Sequence, residues 1–378
     1  MKNHSIFSLI KKEIRSIPKN SVLIFNFCCI VLLVLLIGFI YQKGVLSQIP
    51  AAIVDLDQTS TSRGIVQAFA ENEKFTVRTA GDYAEVFKSV NEGPATMGIV
   101  IPPGLSQEIQ RGGAGELLLV INGTNYIVAN TAYAKANEIL QTINGGISLK
   151  VLEGKGFLPG EAEKMVQTVQ LEQKILYNPE YNYSYYLTYG IISVGIFSLL
   201  MTSIALTLCR QQNKDTGLFS GKQLAVKFMV YGLLAGFITS FIIWMASFIF
   251  HLPFRGIYKE YFSLTMPYGF LVAIFALLLL AVAAGEIRIF QASVFFATPL
   301  FFVTGFTWPL QSIPEYMRFL YYLCPLTPFV NGIRACLVMG AETSVVSKYI
   351  IWQLLLAGLY VPLAWIVYCV RFRKGVIK

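Results

Sequence analysis

The sequence has few of the residues on which most catalytic and metal sites depend. It contains only two histidines, His4 and His251, and no Gly-x-Ser-x-Gly or His-Glu-x-x-His pattern. Zinc sites and histidine-based triads need an imidazole beside other ligands or beside a nucleophile. Two isolated histidines therefore exclude most sites of both kinds.

Charged residues are also scarce. Asp, Glu, Lys and Arg make up 13% of the 378 residues, against 55% for the hydrophobic residues. This composition is typical of a membrane protein. Apolar runs of about 17–25 residues can cross a bilayer as helices. Six segments meet this test and are predicted to span the membrane: 22–41, 186–209, 228–250, 268–284, 290–308 and 349–370.

The net charge of +9 is unevenly distributed. Residues 43–184 hold 11 Lys and Arg against 15 Asp and Glu, so this segment is mildly acidic and the remainder is basic. Outside the long segment, a cytoplasmic N-terminus places 14 Lys and Arg residues inside and five in the short outer loops. This asymmetry follows the positive-inside rule and predicts that both termini are cytoplasmic. Topology therefore explains the basic charge, and nucleic-acid binding is not expected.

The predicted regions are organised around these spans. Residues 1–20 place Ile6, Ile10, Ile14 and Ile17 on one stripe, which predicts an amphipathic helix on the inner leaflet, with a simple topology anchor or partner binding as alternatives. The first transmembrane helix is expected at 21–41, the five-helix transmembrane domain at 186–370 and a basic cytoplasmic tail at 371–378.

Residues 42–185 are predicted to form an extracytoplasmic α/β domain. Short apolar strands at 51–54, 97–101 and 117–121 alternate with helical patterns, which favours a small, mostly parallel sheet. The strand at 117–121 is continuously apolar, which is typical of a strand buried on both faces. A further helix at 161–175 is expected to lead back to the membrane.

The cysteines and the nearest pair of carboxylates are weak candidates for chemistry. The six cysteines show no Cys-x-x-Cys spacing. Cys324 and Cys336 fall on the same predicted outer side, so a disulfide between them stays open beside simple packing. Asp55 and Asp57 lack a third ligand at metal spacing, and a strand end followed by a helix cap explains them better than a metal or catalytic site.

Two absences concern the source of energy. No Lys, Arg, Asp or Glu lies inside the six predicted spans, whereas intramembrane charges are the usual sign of ion coupling. Residues 217–223 approach a phosphate-binding loop, but three residues instead of four separate the glycines, and Gln follows the Lys. If this protein moves a molecule with energy, the nucleotide chemistry must lie on another chain.

The stretch 290–334 has a different character from the other apolar runs. Its apolar part ends at Trp308 and Pro309, and further prolines and tyrosines follow before the last span. Prolines stop helices, and Trp and Tyr anchor at membrane interfaces. The stretch therefore predicts a broken, re-entrant outer hairpin before the last helix.

The chain resembles the type-2 ATP-binding-cassette exporter permeases that carry a large periplasmic domain between the first and second transmembrane helices. The resemblance covers nearly the whole chain and rests on the order and spacing of several motifs. These motifs are residues 54–57 through 61–63, residues 97–103, residues 305–309, Ile313-Pro314, and residues 324–328 through 332–334. The charged turn at 286–288 departs from the family pattern.

The resemblance implies a membrane α-helical fold of six transmembrane helices in a 1+5 arrangement, with an inserted extracytoplasmic α/β domain and a broken outer hairpin. It implies a bacterial inner-membrane location and two separate ATPase subunits that bind ATP and Mg²⁺, with no cofactor on this chain. A second permease copy or homologue completes the dimer. A periplasmic adaptor and an outer-membrane channel are further possible partners.

The resemblance also implies two sets of functional residues. The loop between the second and third spans, 210–227, corresponds to the ATPase-coupling region, although positive-inside anchoring explains its basic residues equally well. The hairpin 309–334 corresponds to the outer end of the pathway. The coupling candidates are Arg210, Lys214, Asp215 and Lys222, and the outer-hairpin candidates are Trp308, Pro309, Pro314, Pro325, Pro328 and Arg334.

The expected function is that of a permease subunit of an ATP-driven exporter for hydrophobic or amphipathic substrates. The alternative is a membrane-anchored receptor or envelope-assembly protein that acts through its outer domain. Six spans exceed what an anchor needs, which favours the exporter. A membrane enzyme is the weakest interpretation because no catalytic constellation is present.

Overall fold

The computed structural model describes residues 5–44, 46–111, 113–154, 156, 158, 176–214, 219–283 and 285–373. The chain divides into two compact units, a helical unit from Met1–Gly44 and Tyr183–Lys378 and an α/β unit from Val45–Asn182. The predicted helix at 161–175, Asp215 and the end of the basic tail, 374–378, lie outside the described residues.

The described residues form strands only in the α/β unit and helices in both units. The strands are β1 (Ile49–Asp55), β2 (Phe75–Thr79), β3 (Met97–Ile101) and β4 (Leu118–Ile121). The helices are α1 (Ile6–Ser16), α2 (Ser21–Ile40), α3 (Ser60–Ala70), α4 (Tyr83–Asn91), α5 (Leu105–Gln110), α6 (Tyr126–Gly154), α7 (Tyr183–Lys214), α8 (Gly221–Phe250), α9 (Tyr258–Val282), α10 (Glu286–Val303), α11 (Arg318–Leu323), α12 (Leu326–Ile333) and α13 (Thr343–Arg373).

Six helices of the described residues are long and apolar enough to cross a membrane: α2, α7, α8, α9, α10 and α13. The first precedes the α/β unit in sequence, and the other five follow it. Two helices begin well before the predicted spans that they contain, since α8 begins at Gly221 and α9 at Tyr258. A hydropathy window detects only the apolar part of a helix, whereas polar first turns and caps decide where the helix begins. Ser220, for example, caps α8 in a capping box with Gln223.

Helices α7 and α9 form the centre of the helical unit. In each of them, 67% of the most apolar 18-residue stretch is buried, compared with 12% in α10 and 17% in α13. Helices α8 and α9 approach closely at Gly269, where an added Cβ would lie 2.2 Å from the backbone nitrogen of Gly236. Small residues permit such contacts between helix backbones. The close approach at Gly236 therefore lies within one chain.

The chain between α10 and α13 is broken, as the prolines predict. Two 3₁₀ turns, Leu310–Ser312 and Glu315–Met317, precede α11. The chain then bends by 79° between Glu315–Leu323 and Leu326–Met339. Pro325 stands at this break as the residue before α12, because a proline ring cannot continue the preceding helix. After α12 the chain continues as a π-helical segment, Arg334–Met339.

The α/β unit contains a four-stranded sheet with the order β2-β1-β3-β4. Strand β1 pairs in parallel with β2 and β3, and β4 pairs antiparallel with β3. The expectation that residues 117–121 are buried on both faces was wrong. Strand β4 lies at the sheet edge, and its Leu118 is 42% exposed. Strand β3 is buried throughout, because Met97, Ile99 and Ile101 pack into one apolar cluster and Val100 packs into another.

Candidate functional site

Four side chains from three helices form a buried polar cluster in the helical unit. Glu13 of α1 accepts hydrogen bonds from Lys227 Nζ at 2.8 Å, from Tyr231 Oη at 2.6 Å and from Gln211 Nε2 at 2.8 Å. Lys227 Nζ also donates to Gln211 Oε1. The side chains of Glu13 and Lys227 are each 9% exposed, so their ion pair is largely removed from solvent. The polar cluster, Glu13, Gln211, Lys227 and Tyr231, connects α1 to the end of α7 and the start of α8.

The polar cluster fixes the charge of Glu13. Burial raises the pKa of this carboxyl, but the charge and hydrogen bond of Lys227, with the hydrogen bonds of Tyr231 and Gln211, hold it below its ordinary value. Glu13 is therefore ionised at neutral pH. Removing one partner from a buried ion pair leaves an uncompensated charge, which costs about 3–5 kcal/mol. The pair consequently fixes α1 against α8 as long as both partners are present.

Sequence reasoning missed Glu13 because it considered only the apolar and basic residues of this segment. The apolar stripe exists, but Ile6 and Ile14 are 57% and 52% exposed, and the buried residue of α1 is Glu13. A single acid among Lys11, Lys12 and Arg15 was the available signal. Exposed isoleucines on α1 agree with a helix that contacts lipid on one side and protein on the other.

The predicted coupling region begins and ends beside this cluster. Phe219 lies under Lys227, whose Nζ is 4.7 Å from the ring centre. The backbone N–H of Phe219 donates to the hydroxyl oxygen of Tyr368 in α13 at 3.2 Å. The residue at the end of the loop is thus held by α8 and α13 together.

The predicted coupling residues have different environments. Arg210 makes a bidentate ion pair with Glu286 of α10, with its Nη2 at 2.7 Å from Oε2. This pair gives Glu286, one of the two charges at 286–288, a structural role. Lys214 and Lys222 are exposed at the end of α7 and the start of α8, and neither has an ion-pair partner among the described residues. Asp215 lies outside the described residues.

A second cluster lies at the opposite end of α7, where Tyr186 stands. The aromatic cluster consists of Tyr186, Phe306 and Arg334. The Arg334 guanidinium carbon is 3.8 Å from the centre of the Phe306 ring and 5.7 Å from that of Tyr186. The Phe306 carbonyl oxygen accepts hydrogen bonds from Arg334 Nη2 at 2.9 Å and from the Tyr186 hydroxyl at 3.1 Å. These contacts hold the turn after α10 against α7 and the π-helical segment.

Two glycines make room for the aromatic cluster. A Cβ at Gly190 would lie 2.3 Å from the Phe306 ring, so only glycine lets this ring pack on α7. Gly305 has a φ of 72°, in the left-handed region that favours glycine. The ring of Tyr321 covers Gly305, 2.9 Å from an added Cβ. The turn at 305–306 therefore depends on glycine at positions 190 and 305.

Among the described residues, no hydrogen bond or aromatic contact joins the other outer-hairpin candidates to the aromatic cluster. Trp308 is 56% exposed and donates from Nε1 to the carbonyl of Ser312 at 3.2 Å. Pro309 and Pro314 each precede a 3₁₀ turn. Pro325 precedes α12, and Pro328 is buried in its first turn. The prolines shape the hairpin, and Arg334 is the one charged residue among the six outer-hairpin candidates.

The cysteines and the carboxylate pair have structural environments. Cys324 and Cys336 are both buried and free, so the possible disulfide is not formed. In the α/β unit, Asp57 accepts from Ser106, Thr59 and the backbone N–H of Gly104, and the Ser106 hydrogen bond is the main cause of its lowered pKa. The described residues contain no group of three metal-ligating side chains. Asp55 accepts from the backbone N–H groups of Asp57 and Gln58 and caps the turn after β1, as the sequence pattern predicts, whereas Asp57 holds the start of α5.

Comparison with known proteins places this architecture in a family. A model described as "ABC-2 family transporter protein" matches residues 21–366. The chain is 22% identical to the "Probable multidrug ABC transporter permease YbhR" of Escherichia coli strain K12, with 93% of this chain and 94% of the relative covered. It is 24% identical to the "Inner membrane transport permease YhhJ" of the same strain, with 98% of each covered. A transporter of this family includes an ATPase partner. The chain belongs to the ABC-2 family of transporter proteins, as a multi-pass permease subunit.

Proposed function

We propose that this chain is the membrane subunit of an ATP-driven exporter that moves hydrophobic or amphipathic molecules outward. The family match and the six candidate spans support a permease, and the relative named as a multidrug permease supports a substrate of this type. The observation that carries the proposal is the polar cluster. It connects an interfacial helix to the two helices that border the predicted coupling region.

The same proposal assigns sides and partners. The N-terminus, the polar cluster and the 210–227 segment face the cytoplasm, and the α/β unit and the hairpin 309–334 lie on the outer side of a bacterial inner membrane. Two ATPase subunits hold ATP and Mg²⁺ and bind the cytoplasmic face. A second copy of the permease, or a homologue, completes the transporter, and an adaptor leading to an outer-membrane channel is a further partner of the α/β unit.

The proposed mechanism follows from the contacts that Phe219 and Glu13 make within the helical unit. ATP-driven closure of the ATPases displaces the 210–227 segment. Because Phe219 contacts Lys227 and Tyr368, this displacement acts on α8 and α13 at once. Glu13 holds α1 to α8 through Lys227 and to α7 through Gln211, so the interfacial helix moves with α8. The tilt of these helices opens a route outward.

The contacts also separate the coupling candidates into a paired residue and two exposed ones. Arg210 already holds the start of α10 through Glu286, so its role is to join α7 to α10. Lys214 and Lys222 are exposed, and their charges are available to acidic residues of an ATPase. Interfacial charges of this kind mainly set the association rate and the orientation of the partners.

The test is a pull-down of the tagged chain from its native membranes in mild detergent. We expect an ATPase to co-purify and its ATP hydrolysis to respond to the permease. The double variant Lys214→Glu/Lys222→Glu is expected to lose roughly tenfold or more of the bound ATPase while inserting normally. Lys259→Glu, an exposed lysine at the start of α9, is the matched control and should retain the ATPase.

The receptor or envelope-assembly function gives a different result in the same experiment. In that case only adaptor or surface proteins co-purify, and charge reversal at Lys214 and Lys222 changes nothing. Such an outcome would overturn the exporter proposal.

A further inference from the structure

The two short helices on either side of the break in the outer hairpin are packed very differently. Seven of the eight residues of α12 are buried, whereas α11 has no buried residue. In α11, Phe319 and Tyr322 are 56% and 54% exposed. Segments with few buried contacts open locally at low cost in free energy. The contacts that do join α11 to other helices therefore decide its position.

Helix α11 ends with carbonyl groups that the following chain does not satisfy. The last carbonyl oxygens of an α-helix have no partner within the helix. Pro325 has no backbone N–H to donate, and the chain bends by 79° at this place. Cys324 donates its backbone N–H to the carbonyl oxygen of Leu320. The carbonyls of Tyr322 and Leu323 therefore need donors from another part of the protein.

Two side chains of α13 supply these donors. The indole Nε1 of Trp352 donates to the carbonyl oxygen of Tyr322 at 3.1 Å. The hydroxyl of Tyr360 donates to the carbonyl oxygen of Leu323 at 2.7 Å. These two residues, Trp352 and Tyr360, are named the α13 latch. The α13 latch caps the end of α11 with side chains, at the point where the proline prevents the backbone from doing so.

Ring contacts orient both donors of the α13 latch. The ring of Trp352 contacts those of Tyr321 and Tyr322, with centres 5.4 and 5.9 Å apart. The ring of Tyr360 meets Phe275 of α9 edge to face, with centres 4.8 Å apart. Aromatic pairs at these separations are favourable. Tyr360 therefore joins α9, α11 and α13 at one point.

The break that the α13 latch holds encloses a thiol. Cys324 lies between the end of α11 and Pro325 and is 2% exposed. Its Sγ is 3.7 Å from the carbonyl oxygen of Leu300 in α10. A reagent in solution reaches this thiol only when the break moves away from its neighbours. Cys324 is therefore a native reporter of the position of the hairpin.

Helix α13 also contacts the predicted coupling region. The hydroxyl oxygen of Tyr368 accepts a hydrogen bond from the backbone N–H of Phe219 at 3.2 Å. Tyr368 lies about two helical turns beyond Tyr360 on the same helix. One helix thus contacts both the end of the 210–227 segment and the break in the hairpin 309–334.

We propose that Trp352 and Tyr360 are positioning residues of the outer hairpin. Their hydrogen bonds to the end of α11 keep the hairpin closed, and loss of these bonds opens it at Cys324. That this opening belongs to the transport cycle rests on the proposed export function, in which displacement of Phe219 acts on α13 through Tyr368. The closed position of the hairpin does not rest on that function.

The test is the labelling rate of Cys324 in the full chain, reconstituted in nanodiscs without an ATPase. N-ethylmaleimide labels accessible thiols, and peptide mass spectrometry gives the rate at each cysteine separately. Cys209 and Cys336 are buried as well and serve as internal references. In the wild type, all three cysteines should react slowly.

The variants remove the donors and keep aromatic rings. Trp352→Phe/Tyr360→Phe is expected to raise the labelling rate of Cys324 roughly tenfold or more, because the closed hairpin loses two hydrogen bonds. Tyr360→Phe alone keeps the ring on Phe275 and should raise the rate about threefold or more. Tyr349→Phe is the matched control, since the Tyr349 hydroxyl makes no hydrogen bond to another described residue. It should change the rate less than about twofold.

Two results overturn the α13 latch. One is unchanged labelling of Cys324 in the double variant. The other is an equal rise at Cys324, Cys209 and Cys336, because general loosening of the fold exposes all three. If the double variant does not fold, the rate in Tyr360→Phe decides in the same way.

The same labelling separates the α13 latch from the export function. A selective rise at Cys324 without any co-purified ATPase would support the latch and overturn export. With a bound ATPase, ATP should accelerate the labelling of Cys324 in the wild type, and Tyr368→Phe should reduce this acceleration. An equal acceleration in both proteins would overturn the transmission through Tyr368.

Discussion

The polar cluster and the aromatic cluster each withdraw a cation from solvent at one end of α7, but they compensate its charge differently. Lys227 has the carboxylate of Glu13 at 2.8 Å, and Tyr231 and Gln211 complete the hydrogen bonds of that carboxylate. Arg334 has a carbonyl oxygen and two aromatic faces, and no carboxylate among the described residues.

The difference separates two kinds of structural contact. A buried charge with a fully hydrogen-bonded partner has no capacity for a ligand, and removing one partner is costly. A guanidinium on an aromatic face is held more weakly, by about 0.5–2 kcal/mol. The polar cluster therefore joins three helices, whereas the aromatic cluster holds the turn after α10.

The largest effect is expected from Lys227→Met. This change leaves the Glu13 carboxylate buried without its counter-charge, and we expect a loss of about 3–5 kcal/mol of stability. Thermal unfolding in detergent measures it. The ATPase coupling of the proposed function should fall as well, because α1 is no longer fixed to α8.

The control is the double variant Glu13→Leu/Lys227→Met. Replacing both charges by apolar residues of similar size should return stability to within about 1 kcal/mol of the wild type or raise it. A double variant that is no more stable than Lys227→Met would show that the pair is not what fixes α1.

A smaller loss is expected from Gly190→Ala. The new Cβ would lie 2.3 Å from the Phe306 ring, and relief of this overlap displaces Phe306 from Arg334 at a cost of about 1–3 kcal/mol. Thermal unfolding in detergent measures the loss, and the unfolding midpoint should fall.

Gly358→Ala provides the matched comparison for Gly190→Ala. Gly358 lies in α13 with no atom within 4 Å of an added Cβ, so the substitution should stabilise the helix by up to about 1 kcal/mol. Equal effects of the two substitutions would contradict the packing assigned to Phe306.

The smallest effect concerns pH. The pKa of Glu13 lies below its ordinary value of 4.5 in the folded protein, so its contribution to stability is present above pH 4.5 and is lost as pH falls through the lowered value. Arg334 carries its charge throughout this range, so the aromatic cluster should not respond.

Glu13→Gln isolates this titration from that of the other carboxylates. The wild type should lose more stability than Glu13→Gln when the pH is lowered from about 6 to about 3. Parallel curves for the two proteins would mean that Glu13 does not carry a paired charge. Unfolding midpoints recorded across this pH range decide between the two results.

Sequence patterns were sufficient where a property repeats along the chain. Apolar runs predicted six candidate spans, prolines predicted the broken segment before α13, and the Asp-x-Asp pattern before Thr59 predicted a turn and a cap. The helices that contain the spans predicted from 228 and 268 begin earlier than these spans, because hydropathy does not detect the polar first turns of α8 and α9. The prediction for β4 was wrong because β4 lies at the sheet edge, and an apolar edge strand has the same sequence pattern as an apolar central strand.

The roles of single charges could not be predicted in the same way. Arg210 belongs to the predicted coupling set, but its partner, Glu286, is 76 residues away along the chain. Glu13 and Lys227 are separated by 214 residues. A charge in a short loop is explained by topology until its contact is known.

The sequence by itself determined the membrane character of this protein, its apolar helices, the breaks between them and the lack of a nucleotide-binding loop. These properties depend on local composition and on residue spacing. Only the tertiary structure decided which cation is paired with a carboxylate and which lies on an aromatic ring, because that depends on side chains brought together from distant helices. Lys227 and Arg334 both border apolar segments in the sequence, and only the fold places a carboxylate beside the first and an aromatic ring beside the second.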